Sequence, residues 1–155
     1  MKIYILDASA VVRYLTNGIG EEKVAALIHL SHRREVRLLI SMVNWGEVLY
    51  VLAGMIGLEK AISDLKAMSA VLESVAIDEE LAEAAAIVKY QYKLGYADCY
   101  ATALAMRMDA TLVTSDPEFA KLGKKLKILA LSRHSALLTR RDEVQRLKAG
   151  AALGA

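Results

Sequence analysis

Short, continuous apolar runs alternate along this chain with longer segments in which apolar residues recur every three or four positions. The runs KIYIL (2–6), RLLIS (37–41), SVAI (74–77), ATLVTS (110–115) and KILAL (127–131) have strand length and lack helical spacing. Between them, ASAVVRYLT (8–16) reads as a helix that stops near Asn17-Gly18. EEKVAALIHLSHRR (21–34) opens with acids and closes on Arg33 and Arg34, the order the helix macrodipole favours. MVNWGEVLYVLAG (42–54) is apolar almost all round and predicts a buried helix. LEKAISDLKAMSAVL (58–72) is amphipathic. DEELAEAAAIVKYQYKL (78–94) carries four acids in its first six residues, with Gly95 as its expected stop. YADCYATALAMRMD (96–109) is another helix, and DPEFAKLG (116–123) a short one ended by Gly123. Strands that alternate with helices, and that are apolar throughout rather than at every second position, predict a sheet covered on both faces. The expected class is therefore α/β: a three-layer α/β/α sandwich around a central, mostly parallel five-stranded sheet. In such sheets functional groups gather beyond the C-terminal strand ends, near the point where strand order reverses.

Composition agrees with this outline. A chain of 155 residues with 55% hydrophobic content and one proline suits one folded domain. No apolar run approaches the ~20 residues of a membrane span. The start MKIYILDASA turns acidic too early for a secretory signal. A single cysteine, Cys99, leaves no internal disulfide, and a cytoplasmic location is expected. Charge is uneven. Residues 121–148 hold nine Lys/Arg against two acids (+7), and the rest holds eleven against sixteen (−5). A basic end suits a polyanion such as nucleic acid, or simply a solvated surface. The expected organisation is a sandwich over 1–131 and a basic extension over 132–155, partly helical or disordered.

Four acids stand at places where chemistry collects. Asp7 directly follows the first strand and Asp116 the fourth. Both read as N-caps, and Pro117 and Glu118 strengthen the helix start at Asp116. Ser9 can assist the cap at Asp7. Capping leaves a carboxylate oxygen for a second partner, so the two roles are compatible. Asp98 lies in the first turn of its helix, where the positive helix end favours it. Glu47 is the sole charge of its apolar helix, with no basic residue at positions 43, 44, 50 or 51. Burying an unpaired carboxylate costs several kcal/mol. Asn44, three residues earlier, shares its face and can hold it by a hydrogen bond.

With strands one, two and four adjacent, all four acids point into one crevice. Two carboxylates ~4 Å apart repel by roughly 4 kcal/mol at an effective dielectric near 20. Such a group must protonate, spread into water, or bind a cation. Hard oxygen ligands suit Mg²⁺ or Mn²⁺. That chemistry implies phosphodiester hydrolysis by a metal-activated water. Thr114 and Ser115 can hydrogen-bond that water or a carboxylate, or merely cap the strand end. A phosphate-binding GxxxxGK[ST] loop is absent. His29, His32 and His134 are not grouped with acids as a zinc set. A phosphoacceptor would want an acid two residues after Asp7, where Ser9 stands.

The stretches YILDASAVVRYL (4–15), SMVNWGEVLYVL (41–52), LGYADCYATALAMRMDATLVTSDPEFAKL (94–122) and KILAL, in this order and spacing, resemble PIN-domain ribonucleases. Within them they resemble the VapC-like toxins of toxin–antitoxin pairs, over about residues 1–131. The resemblance implies that Asp7, Glu47, Asp98 and Asp116 are metal-binding catalytic acids, and that Thr114 is the accompanying hydroxyl. Ser9, Asn44 and Ser115 would support them. It further implies RNA cleavage with Mg²⁺ or Mn²⁺, a homodimer, and an antitoxin partner whose tail lies over the active site, with no membrane partner. The alternative is a non-catalytic PIN-fold module that binds RNA or protein.

Overall fold

The computed structural model describes residues 1–131; the expected basic extension over 132–155 lies outside the described residues. Five strands, β1 (Lys2–Leu6), β2 (Val36–Ser41), β3 (Glu73–Val75), β4 (Thr111–Thr114) and β5 (Lys127–Ala130), form one sheet in the order β3-β2-β1-β4-β5. Every pairing is parallel. The helices are α1 (Ala8–Leu15), α2 (Glu21–His32), α3 (Met42–Ile56), α4 (Leu58–Met68), α5 (Glu79–Tyr92) and α6 (Tyr96–Arg107), followed by a 3-10 segment, Pro117–Lys125. Each strand is joined to the next by helical chain, which is what a parallel pair requires.

The strands are apolar throughout because both faces are buried. β1 sends Tyr4 and Leu6 into one core and Ile5 into the other. β2 divides Leu38 and Ile40 from Leu39, and β4 divides Val113 from Leu112. The first core is closed by Val11, Val24, Leu27 and Leu65 from α1, α2 and α4. The second is closed by Leu81, Val88 and Leu104 from α5 and α6, with Phe119 and Leu122 from the 3-10 segment. These are the three layers of the expected sandwich.

Strand order reverses beside β1, where β4 inserts on the side opposite β2. The register pairs Leu6 with Val113, so the residues that leave these two strands emerge side by side. β2 passes into α3 without a loop: Ser41 ends the strand, and its hydroxyl accepts the Asn44 N–H at 3.1 Å as the helix cap. Several boundaries differ from the sequence expectation by a few residues: α3 runs on to Ile56, β3 is Glu73–Val75, and the 3-10 segment continues past Gly123 to Lys125. α4 ends at Met68 rather than near 72, although Leu72 still packs in the core. α5 ends at Tyr92, with Lys93 in the left-handed region (φ 56°), so Gly95 does not stop it. Gly95 instead precedes α6, for a reason that lies in the site.

Candidate active site

Asp7 is the first residue beyond β1 and is 1% exposed. Its Oδ1 accepts the Ala10 N–H at 2.9 Å, the N-cap of α1, and the Ser9 hydroxyl at 2.7 Å. Its Oδ2 accepts the Thr114 hydroxyl from the neighbouring strand end at 2.5 Å. An ionised carboxylate offers about four lone-pair sites, so a further partner still fits. Thr114 Oγ1 also accepts the Asp116 N–H (3.0 Å), and Ser9 Oγ accepts the Ser115 N–H (2.9 Å). These bonds lock the segment 114–116 to the start of α1. Asp116 sits on that segment, with its Oδ1 capping the 3-10 segment through the Glu118 N–H at 2.8 Å.

Glu47 and Asn44 come from α3. Asn44 is fully buried: its Nδ2 donates to the Ala97 carbonyl at 3.0 Å, and its Oδ1 accepts the Ser41 hydroxyl. One amide thus ties the start of α3 to the start of α6, the turn that carries Asp98. The Asp98 carboxylate folds back over Gly95. A Cβ placed on Gly95 would stand 2.7 Å from Asp98 Oδ2, closer than a side chain tolerates. The glycine therefore lets the Asp98 carboxylate keep this position, and does not serve as a helix stop.

Electrostatics tie the four acids together. Burial first, and then the charges of Asp7, Glu47, Asp116 and Glu118, push the Asp98 carboxyl up to about 7. Burial also pushes Asp7 up to about 6, against the pull of its hydrogen bonds from Thr114, Ala10 and Ser9. Glu47 is raised by partial burial and by Asp116, while a hydrogen bond from Asn44 acts in the other direction. Among the described residues, no Lys or Arg contributes to any of these shifts. Among the described residues, no ion pair involves Asp7, Glu47, Asp98 or Asp116.

Among the described residues, no three His, Cys, Asp or Glu side chains are drawn together tightly enough to chelate an ion as they stand. The acids are within electrostatic reach of one another without forming a closed cage. The donors are carboxylate oxygens, the ligands a hard, hydrated divalent ion takes. Mg²⁺ keeps several waters and takes only one or two protein carboxylates directly. The donor set therefore fits a hard divalent cation.

Asp7, Ser9, Thr114, Ser115 and Asp116 thus share one hydrogen-bonded cluster, and Asn44 fastens the segment carrying Asp98 to the helix carrying Glu47. His29 and His32 are exposed on α2 and enter none of these contacts. Two participants have no counterpart among the acids singled out by sequence. Glu118 adds to the field at Asp98, and Gly95 makes room for it. The spacing of Gly95 three residues before Asp98 is the sequence signal that could have pointed to it.

The structure is thus an all-parallel α/β sandwich with a cluster of acids beside the reversal of its strand order. The chain belongs to the PIN-domain family, whose sequence model matches residues 4–125. A comparison with curated proteins gave no match by sequence. Among solved structures, the chain is similar to one in a DNA-bound VapBC from Salmonella typhimurium, at 17% identity and TM-score 0.70, covering 85% of this chain and 100% of that one. It is also similar to a chain of VapBC2 from Rickettsia felis bound to a promoter DNA fragment (18%, TM-score 0.69, 84% and 99%). A third is VapC20 from Mycobacterium tuberculosis, a sarcin-ricin loop cleaving toxin (15%, TM-score 0.63, 77% and 95%). At these identities the likeness is one of fold. Among the described residues, no helix is long and apolar enough to cross a membrane.

Proposed function

We propose that this protein is a divalent-metal-dependent endoribonuclease, the cytoplasmic toxin of a toxin–antitoxin pair. The observation that carries this reading is Asp98, half-buried within the field of Asp7, Glu47 and Asp116 with no basic residue to neutralise it among the described residues. Asp7, Glu47, Asp98 and Asp116 would hold hydrated Mg²⁺ or Mn²⁺. When bound, the ion supplies an activated water and screens charge that builds on the scissile phosphate. The chain's own residues prepare the place. Thr114 and Ser9 fix the Asp7 carboxylate, and Asn44 restrains Glu47 and the start of α6. Gly95 leaves the Asp98 carboxylate its position.

Membership of the PIN-domain family supports the nuclease reading. The fold shared with chains of VapBC complexes supports a cognate antitoxin as partner. Tyr50 and Met55 on α3 and Ile87 and Tyr90 on α5 are exposed apolar side chains, which supports a homodimer that covers them. RNA is the substrate this reading assigns. Incubated with total cellular RNA and Mn²⁺, the protein is expected to produce discrete cut ends that a chelator abolishes. Asp98→Asn is expected to lower the rate at least about 100-fold while the far-UV CD spectrum is unchanged. Cleavage by Asp98→Asn at the wild-type rate overturns the assignment.

A further inference from the structure

Lysines gather where the end of α5 meets the 3-10 segment, away from the acids. α5 carries Glu79, Glu80 and Glu83 in its first turns and Lys89 near its end, the order the helix macrodipole favours. Lys89 serves that end: its Nζ donates to the Leu94 carbonyl at 2.5 Å. Lys93, the next lysine, is exposed and sits in the left-handed region (φ 56°). The 3-10 segment packs against the same end, with Lys125 Nζ 5.3 Å from the centre of the Tyr92 ring. Gly123 takes a left-handed turn (φ 54°, ψ −129°), and residues 123–125 stand exposed between the buried Leu122 and Leu126. On either side, Lys121 and Lys127 are paired, with Glu118 at 3.6 Å and with Asp109 at 3.2 Å. Among the described residues, Lys93, Lys124 and Lys125 have no carboxylate partner.

We propose that Lys93, Lys124 and Lys125 form a surface that holds the phosphate backbone of RNA outside the acid crevice. The inference rests on the reading of RNA as substrate. The acids repel a polyanion, so attraction over distance must come from elsewhere on the molecule. Three ammonium groups without carboxylate partners supply it, each a compact point charge with three donors for phosphate oxygens. Tyr92 steadies one of them, since an ammonium over a ring face is attracted to it. Both segments that carry the lysines lead to the acids. Lys93 stands two residues before Gly95, and the 3-10 segment begins at Asp116, its cap. Contacts of this kind fix where an RNA lies and carry no sequence information, so the surface should hold RNA of any sequence.

The test measures binding of a labelled, random-sequence single-stranded RNA by fluorescence anisotropy across a salt series, in a chelator so that nothing is cut. Three triple variants are compared with wild type. Lys93→Gln, Lys124→Gln and Lys125→Gln together should weaken binding at least about tenfold and make the plot of log binding constant against log salt shallower by about 2, roughly 0.7 for each lost phosphate contact. Arginine at the same three positions should restore the wild-type slope. Arg34→Gln, Lys60→Gln and Lys66→Gln together remove the same charge from α4 and the end of α2, and should leave the slope unchanged. Manganese binding, read by paramagnetic resonance, and Tm should be those of wild type in all three. The proposal is overturned if the first variant keeps the wild-type slope, or if the Arg34, Lys60 and Lys66 variant loses as much, which marks net charge alone. It is equally overturned if the first variant loses binding to anionic lipid vesicles or an acidic peptide and keeps RNA. If the wild type binds RNA with the expected slope but cuts none with Mn²⁺, the nuclease reading has failed and the RNA surface stands.

Discussion

At the scale of single residues, the site depends on atoms that do not themselves carry charge. Thr114 donates to Asp7 from the next strand end and receives the Asp116 N–H, so one hydroxyl orients two acids. Thr114→Val is expected to lower the cleavage rate roughly 10- to 100-fold, the usual penalty for losing a residue that orients a metal ligand. Steady-state kinetics at saturating Mn²⁺ would measure it. Gly95→Ala should have a comparable effect without unfolding the protein. The added methyl would meet Asp98 Oδ2 at 2.7 Å, and the carboxylate would have to move. Full activity in Gly95→Ala would mean that Asp98 has no need of its present position.

Among the elements, the junction of β2 with α3 carries the most consequence. Ser41 ends the strand and caps the helix, and its hydroxyl also meets the buried Asn44 amide that reaches Ala97. Ser41→Ala is expected to destabilise the protein by about 1–2 kcal/mol through the lost cap. Chemical denaturation should show a lower midpoint at an unchanged slope. The same change loosens the link between α3 and α6, so activity should fall in parallel. α1 is capped differently, by Asp7 itself, which joins the cap and the candidate ligand in one side chain. The sequence expectation that Asp7 and Asp116 begin helical segments agrees with the structure, and their hydrogen bonds leave the second role open.

For the whole molecule, the acid cluster sets how stability depends on pH. The folded state holds the Asp7 and Asp98 protons to about 6 and about 7, above their ordinary range, because burial and neighbouring charges disfavour the anions. The unfolded chain releases them earlier. Between the ordinary carboxylate range and about 7 the folded state therefore binds more protons, and stability falls as pH rises through this window. This is opposite to the usual behaviour of a salt-bridged carboxylate. Calorimetry in a chelator should show Tm decreasing from mildly acidic to neutral pH. Mn²⁺ should raise Tm most above neutrality, where the acids are ionised, and little under acidic conditions. A Tm that is flat across this range, with or without the ion, would contradict the coupling between the acids.

The class of fold was legible in the sequence because burial on both faces of a parallel sheet forces continuous apolar strands. Asp7, Asp98 and Asp116 were legible because strand ends and helix starts are where polar groups stand, and Glu47 because a lone charge in an apolar helix needs a reason. Tertiary structure alone decided the rest. Gly95 matters through a contact with a folded-back side chain, and Lys93 takes the left-handed turn that local preference would give to a glycine. Asn44 matters through a carbonyl 53 residues away. Ser9 and Glu47 line one groove only because α1 and α3 pack side by side. Local sequence encodes which residues want to be buried, capped or charged. The distances that turn four carboxylates into one electrostatic unit arise only when strand order brings their segments together.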